Sequence, residues 1–174
     1  MEVKNIGIKD YALKFGSLNG GLVVVFAIML YFLDMHYQGG TTVTLVNVVI
    51  GIGTLMWGLI DYRKDNGGFI SLTQALKVGM SIALIGSIIG IIYGIILSEV
   101  IDPDVMNKAF EFQKQQMLQS NPEMSVEQVD GMIEMQKKFS SPAIRSAFGL
   151  IFGLFFGFVV SLIGGLIVKR SRPE

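Results

Sequence analysis

The chain has 174 residues, of which 51% are apolar and 16% are charged, and glycine contributes another 21 residues. Soluble domains contain about 25% charged residues, so this composition excludes an ordinary soluble domain and predicts a large surface that does not face water. Fourteen basic and fourteen acidic residues give no net charge, which argues against nucleic acid as a partner. Because cysteine is absent, disulfides, thiolate metal sites and cysteine nucleophiles are excluded.

Four uncharged apolar segments are long enough to cross a bilayer. A membrane-spanning helix needs about 20 apolar residues to cover roughly 30 Å of hydrocarbon. The segments cover residues 15–33, 43–60, 78–97 and 146–168. The first is too long for the core of a cleaved signal peptide, so we expect it to be retained. The sequence predicts an all-α integral membrane protein, a single membrane domain with four transmembrane helices and the lipid bilayer as its surroundings.

Basic residues near the span ends predict the orientation, because short loops rich in Lys and Arg stay in the cytoplasm. The segments before the first span, between the second and third, and after the fourth carry nine basic and five acidic residues, Lys4 and Arg172 among them. The links 34–42 and 98–145 carry five basic and nine acidic residues. We therefore expect both termini to be cytoplasmic and these two links to lie outside a bacterial inner membrane.

Small residues recur every four positions along the third and fourth spans. Residues four apart share one face of a helix, and small side chains let helices approach closely in lipid. These stripes resemble a glycine zipper and predict helix packing, within one chain, in a homo-oligomer or with another membrane protein; a glycine-lined ligand channel is the alternative. The candidate packing residues are Gly16 and Gly20 on the first span, Gly86, Gly90 and Gly94 on the third, and Gly149, Gly153, Gly157 and Gly165 on the fourth.

The segment 98–145 is the predicted extracytoplasmic insertion, and its helix-capping and helix-breaking residues indicate two helices. Asp102 is the expected N-cap of the first helix, with Pro103 at the first helical position, and Asn121-Pro122 is its expected end. The pair would form a helical hairpin between the third and fourth spans.

The second helix of this insertion begins with a predicted capping box, Ser125 and Gln128, and is expected to end near Phe139. Both helices are amphipathic when their residues are placed at 100° intervals. We expect their apolar faces to pack on each other or on a second copy, with docking of an extracytoplasmic partner as the functional alternative. The candidate partner face comprises Met106, Phe110, Met117, Val129, Met132 and Ile133.

No ionisable residue lies within the four spans, which argues against ion-coupled transport. The uncharged polar residues there can be satisfied by a neighbouring helix or a backbone carbonyl: Asn19, Asn47, Thr54, Ser81, Ser87, Tyr93 and Ser161. Asn19 is the candidate intramembrane polar contact, because it lies among small residues where two helices can approach closely.

Catalytic and metal-binding patterns are missing. His36 is the sole histidine, and we expect it to be an exposed surface residue in a turn. Zinc would lack ligands, and the acids Asp34, Glu99, Asp102 and Asp104 are a weak candidate for a hard cation. The serines of the spans have no base to activate them. The sequence predicts no catalytic residue, no metal site and no cofactor.

The chain resembles the domain of unknown function 4199 family, small four-span membrane proteins found chiefly in Bacteroidota, over essentially its whole length. The resemblance rests on residues 14–20 (KFGSLNG), on 62–63 (YR) followed by 67–76 (GGFISLTQAL), and on 101–103 (IDP). It implies a four-span inner-membrane protein and supplies no activity or site residue. We therefore expect a non-enzymatic membrane subunit or scaffold that acts through helix packing and the outer hairpin; the alternative is a small-solute or ion conduit.

Overall fold

The computed structural model describes residues 7–170. Within this range the helices are α1 (Ile8–Phe32), α2 (Thr41–Asp65), α3 (Leu72–Ile96), α4 (Val105–Ser120), α5 (Val126–Lys138) and α6 (Pro142–Val168), and a π-helical turn, Leu97–Ile101, prolongs α3. The described part of the chain contains no β-strand beyond an isolated bridge, which confirms the prediction of an all-α fold. Lys4 and Arg172, which helped to predict the orientation, lie outside the described residues.

Four of these helices are long and apolar enough to cross a membrane. α1, α2, α3 with its π-helical turn, and α6 contain 25, 25, 30 and 27 residues. Large apolar side chains point away from the bundle, and Val49, Phe152 and Ile167 are 68%, 66% and 71% exposed. Apolar residues on the outside of helices of this length are what a multi-pass membrane protein requires, because lipid rather than water contacts them.

The four long helices form one bundle. α3 packs against α1, α2 and α6, and α2 also packs against α1 and α6, whereas α1 and α6 do not meet in the described part of the chain. α1 and α3 are parallel, since Gly16 lies against Ile85 and Gly20 lies one turn further on against Ile89. We call the end of the bundle that holds the link between α2 and α3 the α2–α3 end, and the opposite end the α4–α5 end.

Backbone and side-chain contacts close the α2–α3 end. A turn ends the segment after α2 at residues 67–68, where both glycines have positive φ angles, 72° and 88°, that side chains rarely tolerate. Ile70 and Arg170 exchange two backbone hydrogen bonds of 3.1 Å each. The Lys14 ammonium lies 2.8 Å from an Asp61 carboxylate oxygen. These contacts join the α2–α3 link to the end of α6 and the start of α1 to α2.

Helix starts largely follow the sequence signals. The predicted capping box at Ser125 and Gln128 is confirmed, and Ser71 and Gln74 form a second one at the start of α3. Satisfied N-termini of this kind stabilise a helix by about 1 kcal/mol. The α5 helix ends at Lys138, one residue from the position predicted.

The predicted start of α4 is wrong. Asp104, not Asp102, occupies the N-cap position, and Pro103 lies outside the helix. The π-helical turn continues α3 to Ile101, and Asp102 immediately follows it. Its carboxylate is engaged by side chains from two other segments, so it does not cap the helix that follows.

α4 and α5 pack against each other beyond the long helices. Phe110 of α4 meets Val129 and Ile133 of α5 in a small apolar core. An ion pair between Lys114 and Asp130 also joins the two helices. In the described residues α4 contacts the π-helical turn, whereas α5 packs on α4 and not on the long helices.

Candidate functional site

The interface between α3 and α6 is built from two rows of small residues. Gly165, Gly157 and Gly153 of α6 face Ala75, Ala83 and Ser87 of α3, and Ser161 of α6 faces Gly79. Each successive contact lies four residues later on α3 and four residues earlier on α6, so the two helices are antiparallel. A methyl group on Gly165 would lie only 2.9 Å from the Cβ of Ala75, and one on Gly157 would overlap Ala83. This part of the interface therefore tolerates no added side-chain atom.

The row of α3 that faces α6 is not the glycine stripe highlighted by the sequence. Of that stripe, Gly86 faces α1, and its backbone lies against the Asn19 side chain. Gly16 and Gly20 of α1 lie against Ile85 and Ile89 of α3, where an added methyl group would be 2.5 and 2.6 Å from their Cβ atoms. These glycines are therefore positions of close contact between α1 and α3.

For Gly90 and Gly94, the predicted packing is not found within the chain. No atom lies within 4 Å of the position that a Cβ would occupy on either residue. Gly149 of α6 is also loosely placed, since its nearest neighbour would be Ile91 at 3.9 Å. Within this chain these three glycines do not join helices; they leave space between α3 and α6 toward the α4–α5 end.

That space is part of a cavity of about 470 Å³ between all four long helices. Its volume falls within the range of small-molecule sites, about 300–1,000 Å³. Half of the candidate residues of the spans line it, namely Asn19, Gly86, Gly90, Gly149 and Gly153. The other lining residues are Val23, Asn47, Gly51, Leu55, Ala83, Ser87, Ile91 and Phe156. All of them are uncharged.

Two amide side chains give this cavity its polarity. The Nδ2 of Asn19 donates a hydrogen bond of 2.7 Å to the Thr54 hydroxyl, which in turn donates to the Ile50 carbonyl oxygen. Asn47 of α2 differs, because its Oδ1 is buried and has no hydrogen-bond partner in the described chain. The expectation that protein groups satisfy every polar side chain of the spans is wrong for Asn47. A buried amide oxygen without a partner costs about 1–3 kcal/mol.

A second cavity, of about 110 Å³, lies further toward the α4–α5 end of the same helix pair. Its lining includes Ile91, which also lines the larger cavity, and Gly94, one turn beyond Gly90. Arg145 and Ser146 line it from the first turns of α6. Gly90 and Gly94 thus lie on the α3 side, and Gly149 on the α6 side, of a groove between the larger cavity and Arg145.

The guanidinium of Arg145 contacts neutral groups. One terminal nitrogen lies 3.1 Å from the Ser98 hydroxyl oxygen and the other lies 2.7 Å from the Met106 sulfur. Its Nε is buried without a hydrogen-bond partner, and the ion pairs of the described residues do not include Arg145.

A polar cluster beside this groove corrects the expectation for His36. Its side chain is only 4% exposed, and its Nε2 lies 2.9 Å from a carboxylate oxygen of Asp102. The same oxygen accepts a hydrogen bond of 2.8 Å from the Lys108 ammonium. The contact with Lys108, and to a smaller extent the contact with His36, holds the pKa of the Asp102 carboxyl below its usual range. The link between α1 and α2 is thereby joined to the end of α3 and to α4.

Most residues of the candidate partner face lie between α4 and α5, the first of the two arrangements expected for them. Phe110, Val129 and Ile133 are buried between α4 and α5, and Met106 and Met117 pack around them. Met132 alone of the six residues is exposed, at 45%. The other five residues lie in the core that α4 and α5 share, so they are not a free docking surface.

Several important residues were not singled out by the sequence. Asn47 was one of several uncharged polar residues in the spans, and the sequence alone does not distinguish an unsatisfied amide from a hydrogen-bonded one. Gly51 and Gly58 of α2, two helical turns apart, contact Phe156 and Ile82, and that spacing was an available signal. No group of acidic and histidine side chains in residues 7–170 is placed to hold a metal ion.

Comparison with known proteins gives one match. A family model described as a protein of unknown function, DUF4199, matches residues 14–170, which include α2, α3, α6 and all but the first six residues of α1. No curated protein and no solved structure matches the chain.

Proposed function

The chain belongs to the DUF4199 family of proteins of unknown function, and from the geometry of its bundle we propose that it is a non-enzymatic membrane protein that binds a small molecule between its helices. The observation that carries this proposal is the cavity of about 470 Å³ with the unpartnered Asn47 oxygen. A buried acceptor is costly unless a donor reaches it, and a ligand with a hydroxyl or amide hydrogen would supply that donor.

The proposed location is a bacterial inner membrane, with both termini in the cytoplasm and the α4–α5 end outside. This orientation is supported by the excess of basic residues in the segments that we place inside. The α4 and α5 helices would then form the extracytoplasmic hairpin, and the groove at Arg145 would open toward the outer leaflet.

Binding is favoured over conduction because the bundle is closed between the cavity and the α2–α3 end. Phe15, Leu59 and Ile82 are fully buried and fill the interior toward the α2–α3 end. A bare ion is also a poor ligand, since the cavity offers it no opposite charge in exchange for its hydration shell. The small-solute or ion conduit is therefore the less favoured alternative; it requires this packed layer to open.

A scaffold role is the second candidate and is supported by a different surface. Met132, Met135 and Phe139 are 45%, 64% and 61% exposed along α5, away from the core that α5 shares with α4. Exposed apolar residues at such spacing are typical of contacts with another protein. A second copy of the chain or another membrane protein could cover them.

The test uses purified protein in lipid nanodiscs and a hexadecanol that carries a photoreactive diazirine on its chain. We expect saturable labelling of residues of α3 and α6 that line the cavity. Gly90→Leu should reduce this labelling by about tenfold, because its side chain enters the open space. Gly53→Leu is the matched control, since Gly53 also has no neighbour within 4 Å and is not among the cavity-lining residues.

Two results would count against ligand binding inside the bundle. One is labelling that does not saturate; the other is an equal decrease in both variants. Purified complexes that contain a stoichiometric partner protein, with no cavity labelling, would instead favour the scaffold.

A further inference from the structure

Resting on the proposed function, we propose that the ligand is an anionic amphiphile, whose carboxylate or phosphate head binds Arg145 while its apolar chain lies in the groove between α3 and α6. The proposal comes from the positions of one charged side chain and of two neighbouring cavities that share Ile91 in their walls. It names the chemical class of the ligand, which the larger cavity alone does not.

The head group is inferred from the lack of a counter-charge at Arg145. A guanidinium is charged at any physiological pH and offers five N–H donors suited to carboxylate and phosphate oxygens. Here it contacts a hydroxyl and a thioether, and its Nε is buried and unpartnered. A partly buried charge without an opposite charge is costly, so an anion at this position would relieve a cost already present in the fold.

Glu99 is the acidic group to consider on the neighbouring helix. Its carboxylate lies 3.3 Å from the Ser98 hydroxyl, yet it makes no ion pair with Arg145 within 4 Å. The Ser98 hydroxyl thus lies between the two charged groups, and Arg145 also lines the small cavity.

The apolar chain is inferred from the wall of the groove. Arg145 lines its outer cavity together with Gly94 and Ile95. Ile91 continues the wall into the larger cavity, where no lining residue carries charge. A site that is cationic at one end and apolar along its length matches a molecule with one anionic head and a hydrocarbon chain. The unpartnered amide of Asn47 lies deeper, where a polar substituent on the chain could reach it.

The experiment compares two probes with the same diazirine-bearing chain, a palmitate and a hexadecanol, in nanodiscs of neutral phosphatidylcholine. In the unaltered protein we expect palmitate to label the groove at about tenfold lower concentration than hexadecanol, as hydrogen bonds to a charged group allow. Arg145→Gln should remove this difference, because labelling by palmitate should fall much more than labelling by hexadecanol. Arg145→Lys should retain a preference for palmitate.

Equal affinities of the two probes in the unaltered protein would overturn the proposal, and so would a preference for palmitate that persists in Arg145→Gln. If Arg145→Gln does not fold, the two probes are compared in the unaltered protein and in Glu99→Gln. Because Glu99→Gln removes a nearby negative charge, palmitate should bind this variant at least as tightly as the unaltered protein, and weaker binding would contradict the proposal. Labelling by hexadecanol without any preference for palmitate would leave the proposed function standing, whereas no labelling of the cavity by either probe would end both.

The source of the anionic head is distinguished by a competition arm. Displacement of palmitate by phosphatidylglycerol in the nanodisc supports the proposal with a phospholipid phosphate as the head. Binding of palmitate that is insensitive to phosphatidylglycerol supports it with a free carboxylate.

Discussion

The two halves of the α3–α6 helix pair differ, although glycine or serine recurs every four residues on α6 through both. Toward the α2–α3 end, Gly157 and Gly165 touch Ala83 and Ala75 so closely that no methyl group fits. Toward the α4–α5 end, Gly149 has only a loose neighbour at 3.9 Å, and the helices leave a groove.

The residue opposite each glycine accounts for this difference. The row on α3 reads Ala75, Gly79, Ala83 and Ser87, and the next position in the same register is Ile91. Small residues on both helices allow close approach in lipid, whereas a branched side chain of four carbons holds the backbones apart. A glycine stripe therefore permits close packing, and the facing row decides where it happens.

We call the half of the α3–α6 pair toward the α2–α3 end the closed half, and the half toward the α4–α5 end the open half. The largest effect is expected from a bulky residue in the closed half. Gly157→Leu should overlap Ala83 and destabilise the bundle by about 1–3 kcal/mol or more, as overpacking does. Thermal unfolding followed by fluorescence-detected size exclusion in mild detergent measures it. Gly53→Leu, which adds the same side chain on the exposed face of α2, should change stability by less than about 0.5 kcal/mol. Equal stabilities of the two variants would contradict the close contact.

Shortening Ile91, the residue that holds α3 and α6 apart in the open half, should change the distance between these two helices. Ile91→Ala extends the small-residue row by one position, so the α4–α5 ends of α3 and α6 should approach by on the order of 1 Å. Because the chain has no native cysteine, spin labels at Ile96→Cys and Ala147→Cys report this distance by pulsed electron paramagnetic resonance. A distance that stays the same or increases would show that Ile91 does not hold the helices apart.

The α4–α5 end should also depend on its polar cluster. Asp102→Asn removes the charge that binds Lys108 and His36, and we expect amide hydrogens of α4 to exchange about tenfold faster. Asp130→Asn is the control, because the pair it makes with Lys114 is partly exposed, with Asp130 at 46%, and such pairs contribute little. Similar exchange in both variants would contradict a specific role for Asp102.

The same cluster predicts the pH dependence of the unaltered protein. The folded-state pKa of Asp102 is lowered by Lys108 and His36. The stabilisation from its ionised form is therefore present above the ordinary pKa of about 4 and is lost as the pH falls through the lower folded value. Protection factors of the α4 amides, which correct for the pH dependence of intrinsic exchange, should fall below about pH 4 in the unaltered protein and fall less in Asp102→Asn.

The smallest effect is expected where a polar side chain in the closed half forms its hydrogen bond within its own helix. The Ser161 hydroxyl donates to the Gly157 carbonyl of α6 and not to α3. Ser161→Ala keeps the residue small, so its cost should be below about 1 kcal/mol, again measured by thermal unfolding. A loss as large as that of Gly157→Leu would mean that the hydroxyl, rather than the size of the residue, joins the helices.

The sequence predicted the long helices because hydrocarbon thickness sets their length, and it predicted the α5 capping box because that signal is local. It did not predict which glycines pack, since Gly90 and Gly157 occupy similar stripes and differ only in what another helix places opposite them. His36 and Asp102 were misjudged for the same reason: 66 positions separate them in the chain, and no local pattern links such residues.

The most direct test is the reactivity of single cysteines toward a water-soluble methanethiosulfonate in nanodiscs. Gly90→Cys places the thiol in the open half, and Ser161→Cys places a thiol of similar size at a fully buried position in the closed half. We expect the cysteine at position 90 to react at least about tenfold faster, because thiol reactivity requires exposure to solvent. Equally slow reaction at both positions would contradict an accessible groove between α3 and α6.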